Sequence, residues 1–396
     1  METSAGTSPR ATGVTDTVYG MSRSFDAASG LPLGPEARRA LDAALDRGWA
    51  DPARLHRDGR VARQLLDAAR ASVAARIGAL PQEVVFTASG TQALHMGLLG
   101  LARGRRTVGT TVVASAVEHS AVLRAADWVA PGQDPVLVPV NAHAEVEVEA
   151  LREAMGSPGV ALVAVQHVNH EVGAIQPLEQ VHEIARAEGV PLLVDACAAL
   201  GSLPATPHWD VLAGSAHKWG GPAGVGILAV RTGVRWRSPL PTDEAGRGAG
   251  FPDVPGAVAA ATALETATAA LGRTSVHRAR LLTILRERVP GLAPDILALG
   301  RPGSAPHIVC FTVLWADGQT LVTELDRAGF AVSSGSACTA DTRRPSHVLA
   351  AMGAITHGNL RVSLPPDATE ADVAGFLTAL PAAVAAARAS ADRASS

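Results

Sequence analysis

Residues 160–196 read VALVAVQHVNHEVGAIQPLEQVHEIARAEGVPLLVDA, and this stretch decides the fold class. VALVAVQHV is an apolar run of strand length with no alternation, as expected of a strand buried on both faces. EQVHEIARAEG then places Val181, Ile184 and Ala185 at helical spacing, and PLLVDA is a second short apolar run. Strand, helix, strand is the repeating unit of a parallel sheet.

The same alternation extends in both directions. EVVFT (83–87), TVVASA (111–116) and PVLVPV (135–140) precede it, and VLAGSA (211–216) and GVGILAV (224–230) follow. Helical patterns such as ALHMGLLGLA, AVLRAADWV and LREAM separate most of these runs. The seven runs predict an α/β fold with a mostly parallel seven-stranded sheet covered by helices on both faces. Such sheets take their ligands at the carboxyl ends of the strands. Before them, PEARRALDAAL and GRVARQLLDAARASVAARI read as helices, and residues 1–20, small and polar, read as a disordered arm. We expect a large domain over residues 21–260, with 21–34 packing against the small domain. A smaller α+β C-terminal domain is expected over 261–396, with Ala-rich helices (AVAAATALETATAAL, HRARLLTILRERV) at the junction. Its strands are expected in HIVCFTVLW, FAVSSG and NLRVSL.

Composition removes several classes of function. A chain of 396 residues with 47% hydrophobic content can bury a large core. Net charge is −3, and the densest basic cluster, Arg103, Arg105 and Arg106, reads as a solvated loop. Aromatics make up 3% with one Tyr, which speaks against a base-stacking surface, so no nucleic-acid partner is expected. No apolar stretch reaches spanning length without a charge or Pro, so no membrane partner is expected either. Three cysteines do not make a disulfide framework, and METSAGTSPRATG lacks the apolar run of a secretory signal. A cytoplasmic protein is the expectation.

Thirty-three of the 34 basic residues are Arg; the single Lys is Lys218. Arg stays protonated, so any chemistry that needs a nucleophilic amine side chain must use Lys218. It lies in GSAHKWGGPAGVGIL, between two buried-looking strands, where burial would lower its pKa. Asp195 closes the strand PLLVDA, and a carboxylate there needs a cationic partner, an Arg or a protonated pyridine nitrogen. VVFTASGTQALHMGLL runs from strand through Ser-Gly-Thr into helix, so the N–H groups of Gly90 and Thr91 could bind a phosphate or simply belong to a capped helix start. His119 opens another helix and suits either ring stacking and proton transfer or plain burial. Cys338, in FAVSSGSACTADTRRPSHVL, has small polar neighbours that suit a thiol required to move; Cys310 reads as packing, and Cys197, just after the Asp195 strand, as packing or as a neighbour of the site. Arg361, alone in the apolar NLRVSL, could clamp a carboxylate or serve a structural ion pair.

Taken together, these segments resemble the cysteine desulfurases, a family of the class V aminotransferase superfamily, in the NifS/IscS-like group whose reactive cysteine lies in an SSGSAC loop. The likeness runs from about Asp26 to about Ser363 through FDAASGLP, WADPARLHRDG, VVFTASGT, VEHSAV, HVNHEVGAIQP, VDACAALG, SAHKWGGPAGVG, AVSSGSACT and LRVSL. The resemblance implies a fold-type I transferase dependent on pyridoxal 5′-phosphate, forming a homodimer and acting on L-cysteine. It assigns Lys218 to the cofactor aldehyde, Asp195 to the pyridine nitrogen, and Gly90, Thr91, Ser215 and His217 to the phosphate. His119 would stack on the ring and help move protons, and Arg361 would fix the substrate carboxylate. Cys338 would carry the sulfur as a persulfide to an acceptor protein, leaving L-alanine.

The chain departs from the family pattern at some contact positions. His170 stands where the family has an Asn that contacts cofactor or substrate, Ala198 where it has a Gln, and Gly250 where it has a Thr that reaches the partner subunit. These changes imply looser cofactor binding or altered electronics. The ending ARASADRASS is shorter than the tail with which housekeeping members dock an iron–sulfur scaffold, which implies a dedicated sulfur acceptor. The alternatives are a carbon–sulfur lyase or aminotransferase on another amino acid, and a degenerate non-catalytic homologue. A Cys338→Ser variant separates the first of these from a desulfurase.

Overall fold

A computed structural model describes residues 23–242, 250–334 and 345–395. The arm expected over residues 1–20 lies outside the described residues, as do Cys338, Arg343 and Arg344.

The chain opens with β1 (Arg23–Ser24), α1 (Pro35–Arg47), α2 (Arg57–Ile77), β2 (Val84–Thr87), α3 (Gly90–Gly104), β3 (Thr111–Ser115) and α4 (Ser120–Val129). β4 (Val136–Val138), α5 (Val148–Met155), β5 (Val160–Gln166), α6 (Leu178–Ala187), β6 (Leu192–Asp195), β7 (Val211–Ser215) and β8 (Gly226–Val230) follow. Strands β2 to β8 form one sheet in the order β2-β8-β7-β6-β5-β3-β4. The pairs from β7 to β4 are parallel, whereas β8 runs antiparallel to both β7 and β2. Residues 216–225, between β7 and β8, hold only a 3-10 turn at Ala216–Trp219. A parallel crossover needs roughly a dozen residues or more, usually a helix, so this short link reverses the strand.

The apolar runs lack alternation because both faces are covered. Val112, Ala114, Leu162, Ala164, Leu193, Val211, Ala213 and Leu228 point to one face, where Leu94, Leu98 and Leu101 of α3 and Val122 of α4 cover them. Their neighbours Val113, Val163, Val165, Leu192, Val194, Leu212 and Ile227 point to the other, against α2, α5, α6 and the start of the next helix. Successive strand residues alternate between the faces, so an apolar residue is required at every position. Each Val, Leu or Ile among them contributes about 1.5–3 kcal/mol on burial.

The second half comprises α7 (Val254–Arg288), β9 (Ile296–Leu299), β10 (Ile308–Val313), α8 (Gly318–Arg327), β11 (Phe330–Ala331), α9 (His347–Ala351), β12 (Asn359–Ser363) and α10 (Glu370–Ser395). β12, β10 and β9 form an antiparallel sheet. β1 pairs parallel with β11, joining the start of the described chain to this half. The two Ala-rich stretches read from the sequence form one helix, α7. Its first turns pack into the large core through Ala257, Ala260 and Leu264, and its last turns into a second core through Leu281, Leu282 and Leu285. The sequence-based boundary at residue 260 falls inside it. α7 and α10 are each long and apolar enough to cross a membrane. Here both bury apolar residues against these cores, which accounts for their composition.

Candidate active site

The carboxyl ends of β2, β3, β5, β6 and β7 converge on a cavity of about 250 Å³. Gly90, Thr91, His119, His170, Asp195, Ser215, His217, Lys218 and Arg361 all line it. These are all the site residues named from the sequence except Cys338, which lies outside the described residues. Ala198 is in the wall as well, whereas Gly250 lies elsewhere, in a groove of about 830 Å³ beside β2.

At one end of the cavity stands the first turn of α3. Ser89 caps it, its side chain accepting from Gln92 N–H at 3.0 Å, and Ala93 N–H bonds the Ser89 carbonyl. The first N–H groups of a helix have no intrahelical acceptor, so those of Gly90 and Thr91 remain for a ligand. Gly90 is required here: a Cβ on it would meet Ser215 Cβ at 2.7 Å and Cys197 Sγ at 2.8 Å. Ser215 Oγ lies 3.1 Å from His217 Nδ1, which adds a polar edge. Burial, and then the Lys218 charge, hold His217 below its ordinary pKa.

Two histidines form a second wall. His119 caps α4, its Nδ1 accepting from Ala121 N–H at 3.1 Å, so a neutral ring carries its proton on Nε2. His170 meets it edge-on at 5.0 Å between centroids. Burial pushes the His170 pKa well down, and the nearby basic groups His119, Lys218, Arg361 and His347 add to the effect. His170 is therefore a neutral imidazole, and its Nδ1 has no partner among the described residues.

Asp195 accepts from Cys197 N–H at 2.9 Å through Oδ1 and forms no ion pair among the described residues. An acid so placed suits a cationic ring nitrogen. Lys218 follows β7 in the 3-10 turn Ala216–Trp219, which Gly220 ends in a left-handed conformation (φ 81°). Its amine has no hydrogen bond or ion pair among the described residues. Arg361, on β12, reaches the cavity from the other half of the molecule.

Sequence reading missed several contributors. Gln166, Val168, Ala28, Ser29 and Leu94 complete the lining. The strand end for Gln166 and Val168, FDAASGLP for Ala28 and Ser29, and the first turns of α3 for Leu94 were the available signals. Cys197 is buried as expected, but it also lines the cavity, and burial raises its pKa well above the ordinary thiol value, with Asp195 adding to the effect. Cys310 is fully buried and burial pushes its pKa up to about 12, as fits a packing role. Behind the histidines is a carboxyl network. Glu118 is fully buried and its pKa is raised well above the usual range, first by burial and then by Asp195. Ser346 Oγ donates to Glu171 Oε2 at 2.6 Å, and His347 Nε2 lies 2.8 Å from the Glu118 carbonyl.

The profile of the class-V aminotransferases matches residues 38–376. An IscS-like cysteine desulfurase of Mycobacterium tuberculosis is 37% identical over 383 residues, covering 92% of this chain and 96% of that protein. The chain belongs to the cysteine desulfurase family of class-V aminotransferases. Among solved structures, a NifS-like protein superposes with a TM-score of 0.84 at 29% identity, covering 92% of this chain and all of that one. Another, SspA in complex with cysteine, gives 0.75 at 25% identity, covering 87% and 99%.

Cysteine desulfurases work with pyridoxal 5′-phosphate, and the residues present fit it. The glycine cradle at the start of α3 leaves space and N–H donors for a phosphate. Asp195 matches a pyridinium nitrogen, and Lys218 is an amine in the same cavity.

Proposed function

We propose that this protein is a pyridoxal-phosphate-dependent cysteine desulfurase that converts L-cysteine to L-alanine and passes the sulfur on through Cys338. The observation that carries this reading is the position of Lys218. The one lysine of the chain stands in the same cavity as Asp195, the α3 turn, the two histidines and Arg361. A degenerate homologue would have no reason to retain that set.

The bound cofactor supplies an electron sink for the amino acid's α-carbon. Lys218 would hold it covalently, Asp195 would keep its ring nitrogen protonated, and Gly90, Thr91, Ser215 and His217 would hold its phosphate. His119 would stack against the ring. His170 adds a neutral imidazole in place of the family's amide. Arg361 would orient the substrate by its carboxylate. The Cys338 thiolate would attack the substrate sulfur. A sulfur–sulfur bond forms, the carbon–sulfur bond breaks, and its electron pair stays with the carbon fragment, which takes up a proton and leaves as alanine. An acceptor protein then removes the outer sulfur. We place the reaction in the cytoplasm, where Cys338 is kept reduced between turnovers.

Purified protein supplied with pyridoxal phosphate and L-cysteine should form alanine, and sulfide when a dithiol is present. Cys338→Ser should retain the cofactor and lose sulfide release. No alanine from the wild type would overturn the reading, and full desulfuration by the variant would overturn the persulfide step.

A further inference from the structure

Arg361 is only 2% exposed, and its hydrogen bonds are largely committed. NH2 donates to Asp26 Oδ1 at 2.6 Å and to Ser29 Oγ at 2.7 Å, and NH1 donates to the His170 carbonyl at 2.9 Å. Nε has no partner among the described residues. NH2 has two hydrogens, so both are taken. A carboxylate can grip a guanidinium with two parallel bonds along either of two edges, NH1/NH2 or Nε/NH2. Both edges use NH2. A two-pronged grip is therefore closed as long as Asp26 and Ser29 stay in place.

The segment that supplies these residues is fixed at both ends. Phe25 N–H bonds the Ala331 carbonyl at 2.8 Å, and Asp26 bridges to Ser363 of β12. Further along, Leu31 N–H bonds the His217 carbonyl at 2.8 Å, beside Lys218. Ala28 and Ser29 line the cavity between these anchors. The Asp26 side chain is 27% exposed, so water can take over its hydrogen bonds if it lets go of NH2.

We propose that Asp26 is the resident counter-anion of Arg361, a positioning residue that a ligand carboxylate must displace from NH2. Carboxylate affinity at this site is then set by competition with Asp26. The proposal rests on the reading of Arg361 as the substrate-carboxylate site. Asp26→Asn keeps a hydrogen-bond acceptor for NH2 but removes the competing charge.

The test is calorimetric titration of the cofactor-loaded full chain with 3-mercaptopropionate, which has the carboxylate and thiol of cysteine but no amine. Asp26→Asn should bind it about two- to fivefold more tightly than wild type, the scale of one partly exposed charge pair. Ser29→Ala should change affinity by less than Asp26→Asn does, since the hydroxyl carries no charge that competes with the ligand carboxylate. Asp26→Ser, smaller and equally neutral, carries the same expectation as Asn if the Asn variant does not fold. Unchanged or weaker binding by the neutral variants, or no binding by any form, overturns the proposal. Alanine formation from cysteine is read separately. Its absence alongside the affinity shift would overturn only the functional reading, and turnover with Asp26-independent binding would overturn only this one.

Discussion

Ser333 and Arg361 exchange both backbone hydrogen bonds, Ser333 N–H to the Arg361 carbonyl at 3.2 Å and Arg361 N–H to the Ser333 carbonyl at 2.7 Å. The chain just before residues 335–344 is thus tied to the residue whose side chain enters the cavity. Just after them, Ser346 holds Glu171, and His347 holds the backbone next to His119. Both flanks of the segment that carries Cys338 are fastened to the wall of the same site.

The downstream fastening can be tested by removing one hydroxyl. Ser346 is buried, and its Oγ also accepts Leu349 N–H at 3.1 Å as the cap of α9. Ser346→Ala leaves a buried Glu171 oxygen without this donor and should cost about 1–3 kcal/mol. Urea unfolding should show a lower midpoint at an unchanged slope. The rate of Cys338 alkylation by iodoacetamide should also change, and an unaltered rate would mean that the fastening does not control this thiol.

Gly90→Ala should weaken cofactor binding while the protein still folds. The new methyl would lie 2.7–2.8 Å from Ser215 Cβ and Cys197 Sγ, and overpacking of this kind typically costs about 1–3 kcal/mol. A cofactor titration followed by absorbance should show a loss of about tenfold or more, one decade for each 1.4 kcal/mol. Adding Cys197→Ala removes one of the two collisions and should recover part of the affinity. Wild-type affinity in the single variant would refute the cradle.

Because the chain has one lysine, borohydride reduction of the loaded protein should attach the cofactor to a single tryptic peptide, the one containing Lys218. Lys218→Arg keeps the charge but cannot form the bond, so the label should vanish. A label that persists at another site would remove Lys218 from its proposed role.

Stability should fall as pH drops from neutral toward 4. His307 is buried, with Nε2 3.1 Å from the Ala198 carbonyl; burial, and then the Arg278 charge, lower its pKa to about 3. Burial alone brings His167 down to about 4. In both, the folded pKa lies below the unfolded value of about 6.5, so below that value the unfolded chain binds more protons and gains on the folded one. Each group adds a slope of up to about 1.4 kcal/mol per pH unit within this window and nothing above it. His307→Asn should flatten the pH dependence of the urea midpoint by one such share. A slope equal to wild type would show that His307 takes up its proton without unfolding.

The sheet was legible in the sequence because nearly every position on its strands, short of their carboxyl ends, must be apolar. Its one reversed strand was less so, since GVGILAV looks like its parallel neighbours; only the lack of a helix between Trp219 and Val225 marks it. Lys218 and Asp195 were visible because each is a charged residue in an otherwise apolar segment; Gly90 and His119 were equally readable as a helix cap or plain burial, and His170 stood out only through the family resemblance. The Asp26–Arg361 pair was not, because its partners are 335 residues apart and neither segment alone predicts their meeting. The Glu171–Ser346 contact escaped for the same reason, across 175 residues. The division of the Ala-rich region into two helices was an error of local reading. Gly272 weakens a helix by only about 1 kcal/mol, and packing at both ends of α7 outweighs it.

At about 1.5 Å per residue, the 35 residues of α7 form a beam roughly 50 Å long. No residue between Glu265 and His277 is fully buried, although Ala267 packs against the large core, so the beam is gripped most firmly at its ends and more loosely in its middle. A beam held this way transmits rotation. A swing of the half that carries Arg361, relative to the half that carries Lys218, would have to bend or twist α7 around Gly272, where amide exchange should report the motion first.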